Sequence, residues 1–186
     1  VGTGRETRLG ETHCMQPHVV YLANSSGLKV GITRKTQVPT RWIDEGAIQA
    51  LPIVEVDTRL QSGLIETVLK GTVNDRTDWR RMLKGGQTEI DLKSEWDQLR
   101  KTSEALLTDC QSKFGSAAVR LKGQEQVTRI SYPGLHYPDK IKTYNFDKER
   151  VVKGTLEGIK GQYLILDLGV LNIRKFAGYE ISFTVC

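Results

Sequence analysis

Two short apolar runs stand close together early in the chain, His18-Val-Val-Tyr-Leu-Ala23 and Leu28-Lys-Val-Gly-Ile-Thr33, with Asn24-Ser25-Ser26-Gly27 between them. Runs of strand length around a loop of that composition predict a β-hairpin. Alternation along the second run puts Lys29, Gly31 and Thr33 on one sheet face and Leu28, Val30 and Ile32 on the other. Pro39 suits the first turn of a helix that carries Thr40, Arg41 and Trp42 and ends near Gly46. A third strand is expected over Leu51 to Val56. Leu64 with Val68, and Ile65 with Leu69, stand at i,i+4 spacing, which predicts an amphipathic helix over Leu60 to Lys70 whose core face leaves Glu66 to one side. Leu92, Trp96, Leu99, Leu106 and Leu107 predict a longer helix over Asp91 to Phe114, ended by Gly115.

The pattern changes after this helix. Residues 127–186 are rich in Val, Ile, Tyr and Gly, and the runs Tyr163-Leu-Ile-Leu-Asp-Leu168 and Val170-Leu-Asn-Ile-Arg174 flank Gly169. They predict a β-rich appendage, with Gly158-Ile-Lys-Gly161 as a hairpin turn rather than a phosphate loop, since no helix follows it. The expected organisation is an irregular segment over 1–17, an α+β domain over 18–126 with a three-stranded antiparallel sheet flanked by helices, and a small β-rich domain over 127–186. The Pro-Gly-Leu-His-Tyr-Pro stretch near 133–138 reads as the linker.

A length of 186 residues, 26% charged and 38% hydrophobic, is ordinary for a globular protein with its own core. No apolar run reaches the roughly 20 residues of a membrane span, so a soluble chain with no membrane partner is expected. Three scattered cysteines do not make a secreted disulfide framework, and no signal peptide is visible, which places the protein in the cytoplasm. The net charge of +5 favours a polyanionic partner, DNA or RNA, without excluding a plain solvated basic surface.

Hairpin, helix, strand and a helix bearing a glutamate follow one another as in GIY-YIG nucleases, and the residues match in part. Val20-Tyr21-Leu22 resembles the first motif, and Lys29-Val30-Gly31 the second in a lysine-first variant followed by Thr33-Arg34. The wider string, from HVVYLANSSGLKVGITRKTQVPTRWIDEGA through DRTDWRRMLKGG to GIKGQYLI and NIRKF, resembles an uncharacterised bacterial family, domain of unknown function 2797. The nuclease resemblance implies metal-dependent phosphodiester hydrolysis. Glu66 would hold Mg2+ or Mn2+, Arg41 would clamp a phosphate with Arg34 as its competitor, Tyr21 would position or deprotonate the attacking water, and Lys29 would replace the second tyrosine as phosphate contact or base. Asn74 is the candidate for the superfamily's late asparagine. Lys29, Arg34, Lys35, Arg41 and Trp42 are the candidate nucleic-acid contacts, the basic ones sharing a surface beside the hairpin.

Each residue also has a plainer reading. Tyr21 can be a packing residue, Lys29 and Arg34 solvated edge charges, Glu66 a surface carboxylate, and Trp42 and Trp79 core aromatics rather than base-stacking platforms. Cys14 and His18 have the spacing of half a zinc site, which would need further ligands. Two other functions stand beside the nuclease: a nucleic-acid-binding module that has kept the fold without turnover, and a protein-interaction module.

Overall fold

In the computed structural model, which describes residues 10, 13–73, 78–122 and 124–185, the early apolar runs form the predicted hairpin. Strand β1 (His18–Asn24) is buried along its whole length, and β2 (Leu28–Arg34) pairs with it antiparallel, Tyr21 facing Gly31 in the register. A short helix α1 (Thr40–Asp44) begins directly after Pro39, and the chain leaves it through Gly46, whose φ of +67° suits glycine. Strand β3 (Gln49–Val56) starts earlier than expected and pairs with the other side of β1, shifting register between Val20 and Tyr21.

Helix α2 (Arg59–Lys70) opens with a capping box, the Thr58 hydroxyl accepting from the Gln61 amide while the Gln61 side chain accepts from the Thr58 amide. Its buried residues are Gln61, Ser62, Ile65 and Leu69, while Leu64 is exposed. The core face is therefore narrower than the two i,i+4 pairs predicted, because the sheet meets one of those rows and solvent the other. After α3 (Trp79–Leu83), the expected long helix is two, α4 (Leu92–Thr102) and α5 (Glu104–Phe114), broken at Ser103, and Leu106 faces outward. The break lets Leu99 and Leu107 both reach the sheet's core.

Two further strands, β4 (Val119–Leu121) and β5 (Thr128–Arg129), pair with β3, so the first sheet runs β2-β1-β3-β4 with β5 also on β3. The sheet is larger than the three strands expected, and a boundary at 126/127 would cut off β5. A second antiparallel sheet is built from β6 (Leu156–Lys160), β7 (Tyr163–Leu166) and β8 (Gly169–Asn172); of the expected Gly158–Gly161 turn only Gly161 turns, with Gln162, while Gly158, Ile159 and Lys160 extend the strand. The fold is α+β. The stretch near 133–138 is not a free linker: Gly134 bridges to Gly158, and Tyr137 packs with Met82, Leu83, Ile165 and Val170 in a cluster joining α3 to the second sheet.

The two faces of the first sheet differ. Val20, Leu22, Val30, Leu51 and Val54 point into the main core with Ile65, Leu69, Leu92 and Trp96. Val19, Tyr21, Ala23 and Ala50 point the other way, against Trp42 and Ala47. No helix among the described residues is long and apolar enough to cross a membrane.

Candidate functional site

Strand parity sends Tyr21 to the face away from α2, and Gly31 opposite it leaves room for the ring. A Cβ on Gly31 would lie 2.6 Å from the Tyr21 hydroxyl and from Cζ, so any side chain there would displace the ring. Trp42 from α1 closes over the tyrosine edge-on, centroids 5.9 Å apart, with its indole N–H buried and without a protein acceptor among the described residues. The Tyr21 hydroxyl donates to Glu45 Oε2 at 2.9 Å.

That carboxylate is the centre of a converging group. Lys29 Nζ lies 2.8 Å from Glu45 Oε2, and Arg41 Nη2, one helical turn before it, lies 2.7 Å from Oε1. The Lys29 and Glu45 side chains are only 13% and 11% exposed, whereas Arg41 is 39% exposed, so the group opens to solvent on the arginine side. Burial, reinforced by the Glu45 charge, holds the Tyr21 hydroxyl far above its ordinary pKa, which makes it a permanent donor. Burial works against the Arg41 charge, but Glu45 and Tyr21 outweigh it and Asp44 adds to them. Two cations, a hydroxyl donor and one carboxylate leave a net charge of +1 in this group, an arrangement suited to an oxyanion.

The family model described as a protein of unknown function, DUF2797, matches residues 1–181. The chain belongs to the DUF2797 family. No curated protein and no solved structure matches it.

The DUF2797 chain thus brings together Tyr21, Lys29 and Arg41 of the expected site residues, and adds Glu45, which no motif marks and whose only signal in the sequence is its i,i+4 spacing from Arg41. The other candidates lie elsewhere. Arg34 stands opposite His18 in the register, on the parity of Val30 and Ile32, and not with the cluster. Lys35 is exposed and shares Glu55 with Arg120. The expected common surface of Lys29, Arg34, Lys35 and Arg41 is therefore reduced to Lys29 and Arg41 at Glu45: the strand's alternation separates Arg34, and Lys35 pairs with Glu55, which stands opposite Val19 on the Tyr21 face but belongs to a different ion-pair group. Trp42 is buried and packs on Tyr21, the core role rather than an exposed stacking platform. Trp79 stacks parallel on Tyr163 at 5.5 Å and carries Arg80 over its ring at 4.3 Å.

Glu66 sits on α2, whose Ile65 and Leu69 pack against the face opposite Tyr21, and its carboxylate pairs with Lys70 at 3.2 Å. It makes no contact with the cluster. Asn74 lies outside the described residues. His18 is buried with Nδ1 2.6 Å from the Gln16 carbonyl oxygen, and Cys14 is exposed. Burial lowers the His18 pKa, with Arg59 and Arg34 adding to the effect against that hydrogen bond. Among the described residues no three His, Cys, Asp or Glu side chains gather as a metal site. The cluster itself does not fit a divalent cation: both Glu45 oxygens already accept from a cation, and the remaining charges at the spot are positive.

Proposed function

We propose that this protein binds nucleic acid through the phosphodiester backbone, at the Tyr21, Lys29 and Arg41 cluster of a GIY-YIG-like sheet, and that binding rather than hydrolysis is the work of that cluster. One observation carries the reading: three donors, two of them cationic, converge on a single oxyanion within 3 Å. A backbone phosphate offers the same acceptor geometry as the Glu45 carboxylate, and the forked, half-exposed Arg41 is the donor it would meet first. Glu45 then serves as the placeholder for the anion, keeping Lys29 and Arg41 aligned when no phosphate is present.

The GIY-YIG likeness gains support from the contact between its two motifs, since the Tyr21 ring needs the glycine of Lys29-Val-Gly31 beneath it. Hydrolysis has weaker support. A tyrosine held protonated positions groups but does not take a proton, and the carboxylate expected to hold a metal, Glu66, belongs to the helix on the other face of the sheet.

The test is binding of a fluorescent oligonucleotide against salt. Affinity should fall steeply as salt rises. Arg41→Ala should weaken binding and reduce the salt slope by about one, while Glu45→Gln, which removes the resident competitor, should tighten it. No binding at low salt ends the proposal. Cleavage with Mg2+ or Mn2+ that Glu66→Gln abolishes would replace it with the hydrolytic reading.

A further inference from the structure

At the C-terminal end of α1, where Asp44 forms part of the wall, lies an open cavity of about 410 Å3, lined also by Ile159, Gln162, Tyr163, Ile173 and Arg174. The cavity joins the first sheet's helix to the second sheet's turn. Gly161, with φ of +59°, packs so closely on the α1 exit that a Cβ would lie 3.0 Å from the Asp44 carbonyl oxygen and 3.2 Å from the Gly46 amide nitrogen. The wall of the cavity is therefore held against the same helix that carries Arg41, and Asp44 is close enough to Arg41 to act on its charge.

Resting on the phosphate-binding reading, we propose that this cavity takes one unpaired nucleobase of the strand whose backbone the cluster holds, so that the ligand is single-stranded nucleic acid. Ile159 and Ile173 are large apolar side chains left substantially exposed, and they would hold a base by apolar contact against the Tyr163 ring. The polar groups suit a base edge and a sugar-phosphate. Asp44 accepts from an amino or imino N–H, Gln162 both donates and accepts, and Arg174 supplies a cation at the mouth.

Asp44 and Arg174 form a loose ion pair at 4.0 Å, beyond hydrogen-bond reach, with side chains 38% and 63% exposed, so a ligand that offers Asp44 a donor can compete with it. Charge complementarity favours this occupant over an apolar peptide: Arg174 lines the cavity, and Trp79, stacked on Tyr163, carries Arg80 over its ring at 4.3 Å as a second cation nearby. A base inside the cavity cannot remain in a duplex stack, which is why the inference selects single strands.

The experiment compares one short single-stranded oligonucleotide, its duplex, and the same strand with an abasic nucleotide moved through successive positions. The wild-type chain should prefer the single strand, and one abasic position should weaken binding about tenfold, the range expected for loss of one stacked base. In Ile173→Trp, where the larger ring fills the cavity, single-strand binding should weaken and the abasic penalty should vanish. Equal affinity for duplex and single strand, or no abasic position that matters, overturns the base pocket while leaving the phosphate cluster standing. No binding to any of the three overturns both.

Discussion

Lys29 and Lys160 are both withdrawn from solvent, and the two are handled in opposite ways. Lys29 meets a carboxylate at 2.8 Å and shares it with Arg41 and Tyr21. Lys160, at the end of β6, has no carboxylate partner among the described residues: its ammonium donates to Gln87 Oε1 at 2.7 Å and lies 5.6 Å and 5.5 Å from the Tyr132 and Tyr137 ring centroids. Burial alone lowers its pKa to about 8. The paired lysine belongs to the cluster at which the proposed phosphate contact would replace Glu45. The unpaired one is a joint, fastening the second sheet to the loop after α3 and to the segment that carries both tyrosines. Tyr132 extends the joint to the segment just after the cluster's helix by donating to the Ala47 carbonyl at 2.9 Å.

The comparison breaks most visibly if Glu45 is removed. Glu45→Ala leaves Lys29 buried and unpaired and strips the Tyr21 hydroxyl of its acceptor, so a loss of about 2–4 kcal/mol is expected. Lys29→Met combined with Glu45→Leu should recover the part that comes from the unpaired lysine, because an apolar pair carries no charge desolvation cost, but not the part that comes from the Tyr21 hydroxyl, which still lacks its acceptor. Urea unfolding of the three chains checks both statements. A loss below about 1 kcal/mol for Glu45→Ala would mean that solvent reaches the cluster far more than its burial implies.

Lys160 gives the middle effect, through pH. Its folded pKa lies below the unfolded value near 10.5, so between the two the unfolded chain binds more protons, and stability rises with pH. The gain should be about 2 kcal/mol between pH 7 and 9.5 relative to Lys160→Met, which lacks the titrating amine. Holding the comparison below pH 10 keeps out Tyr21 and Tyr132, whose raised pKa values act with the opposite sign. Parallel stability curves for the two chains would show that Lys160 is solvated.

Much of the first sheet was legible. The hairpin, the Pro39 helix start and the third strand follow from local composition and alternation, but the pairing of Tyr21 with Gly31 does not: a loop over 24–27 would set Tyr21 opposite Val30, whereas Asn24 joins the strand and pairs with Leu28. Glu45 was not legible as a site residue, since a glutamate near a basic helix has no distinctive pattern until the fold turns Lys29 toward it. Lys160 was hidden for a related reason. The rings that enclose it come from Tyr132 and Tyr137, in and beside a Pro- and Gly-bearing stretch that reads as a linker but docks on α3 and β6. The break at Ser103 was missed because the apolar spacing runs on across it, and only the sheet's shape decides which leucines turn inward.

The smallest effect is expected at Glu66, and it sharpens the contrast because this carboxylate is charged and paired yet lies outside both buried groups. Its partner Lys70 is one helical turn away and 41% exposed. An i,i+4 pair with the glutamate first stabilises a helix by about 0.3–0.5 kcal/mol, and salt screens it. Glu66→Gln keeps the shape and the helix propensity, so the unfolding free energy from urea titration should fall by no more than that, and the difference should shrink further in high salt. Oligonucleotide affinity should stay at the wild-type value, because Ile65 and Leu69 tie the helix to the opposite face of the sheet from Tyr21. A loss above about 2 kcal/mol, or a marked change in affinity, would place Glu66 in the same electrostatic group as Glu45. The division between the sheet's two faces would then no longer describe where this protein keeps its chemistry.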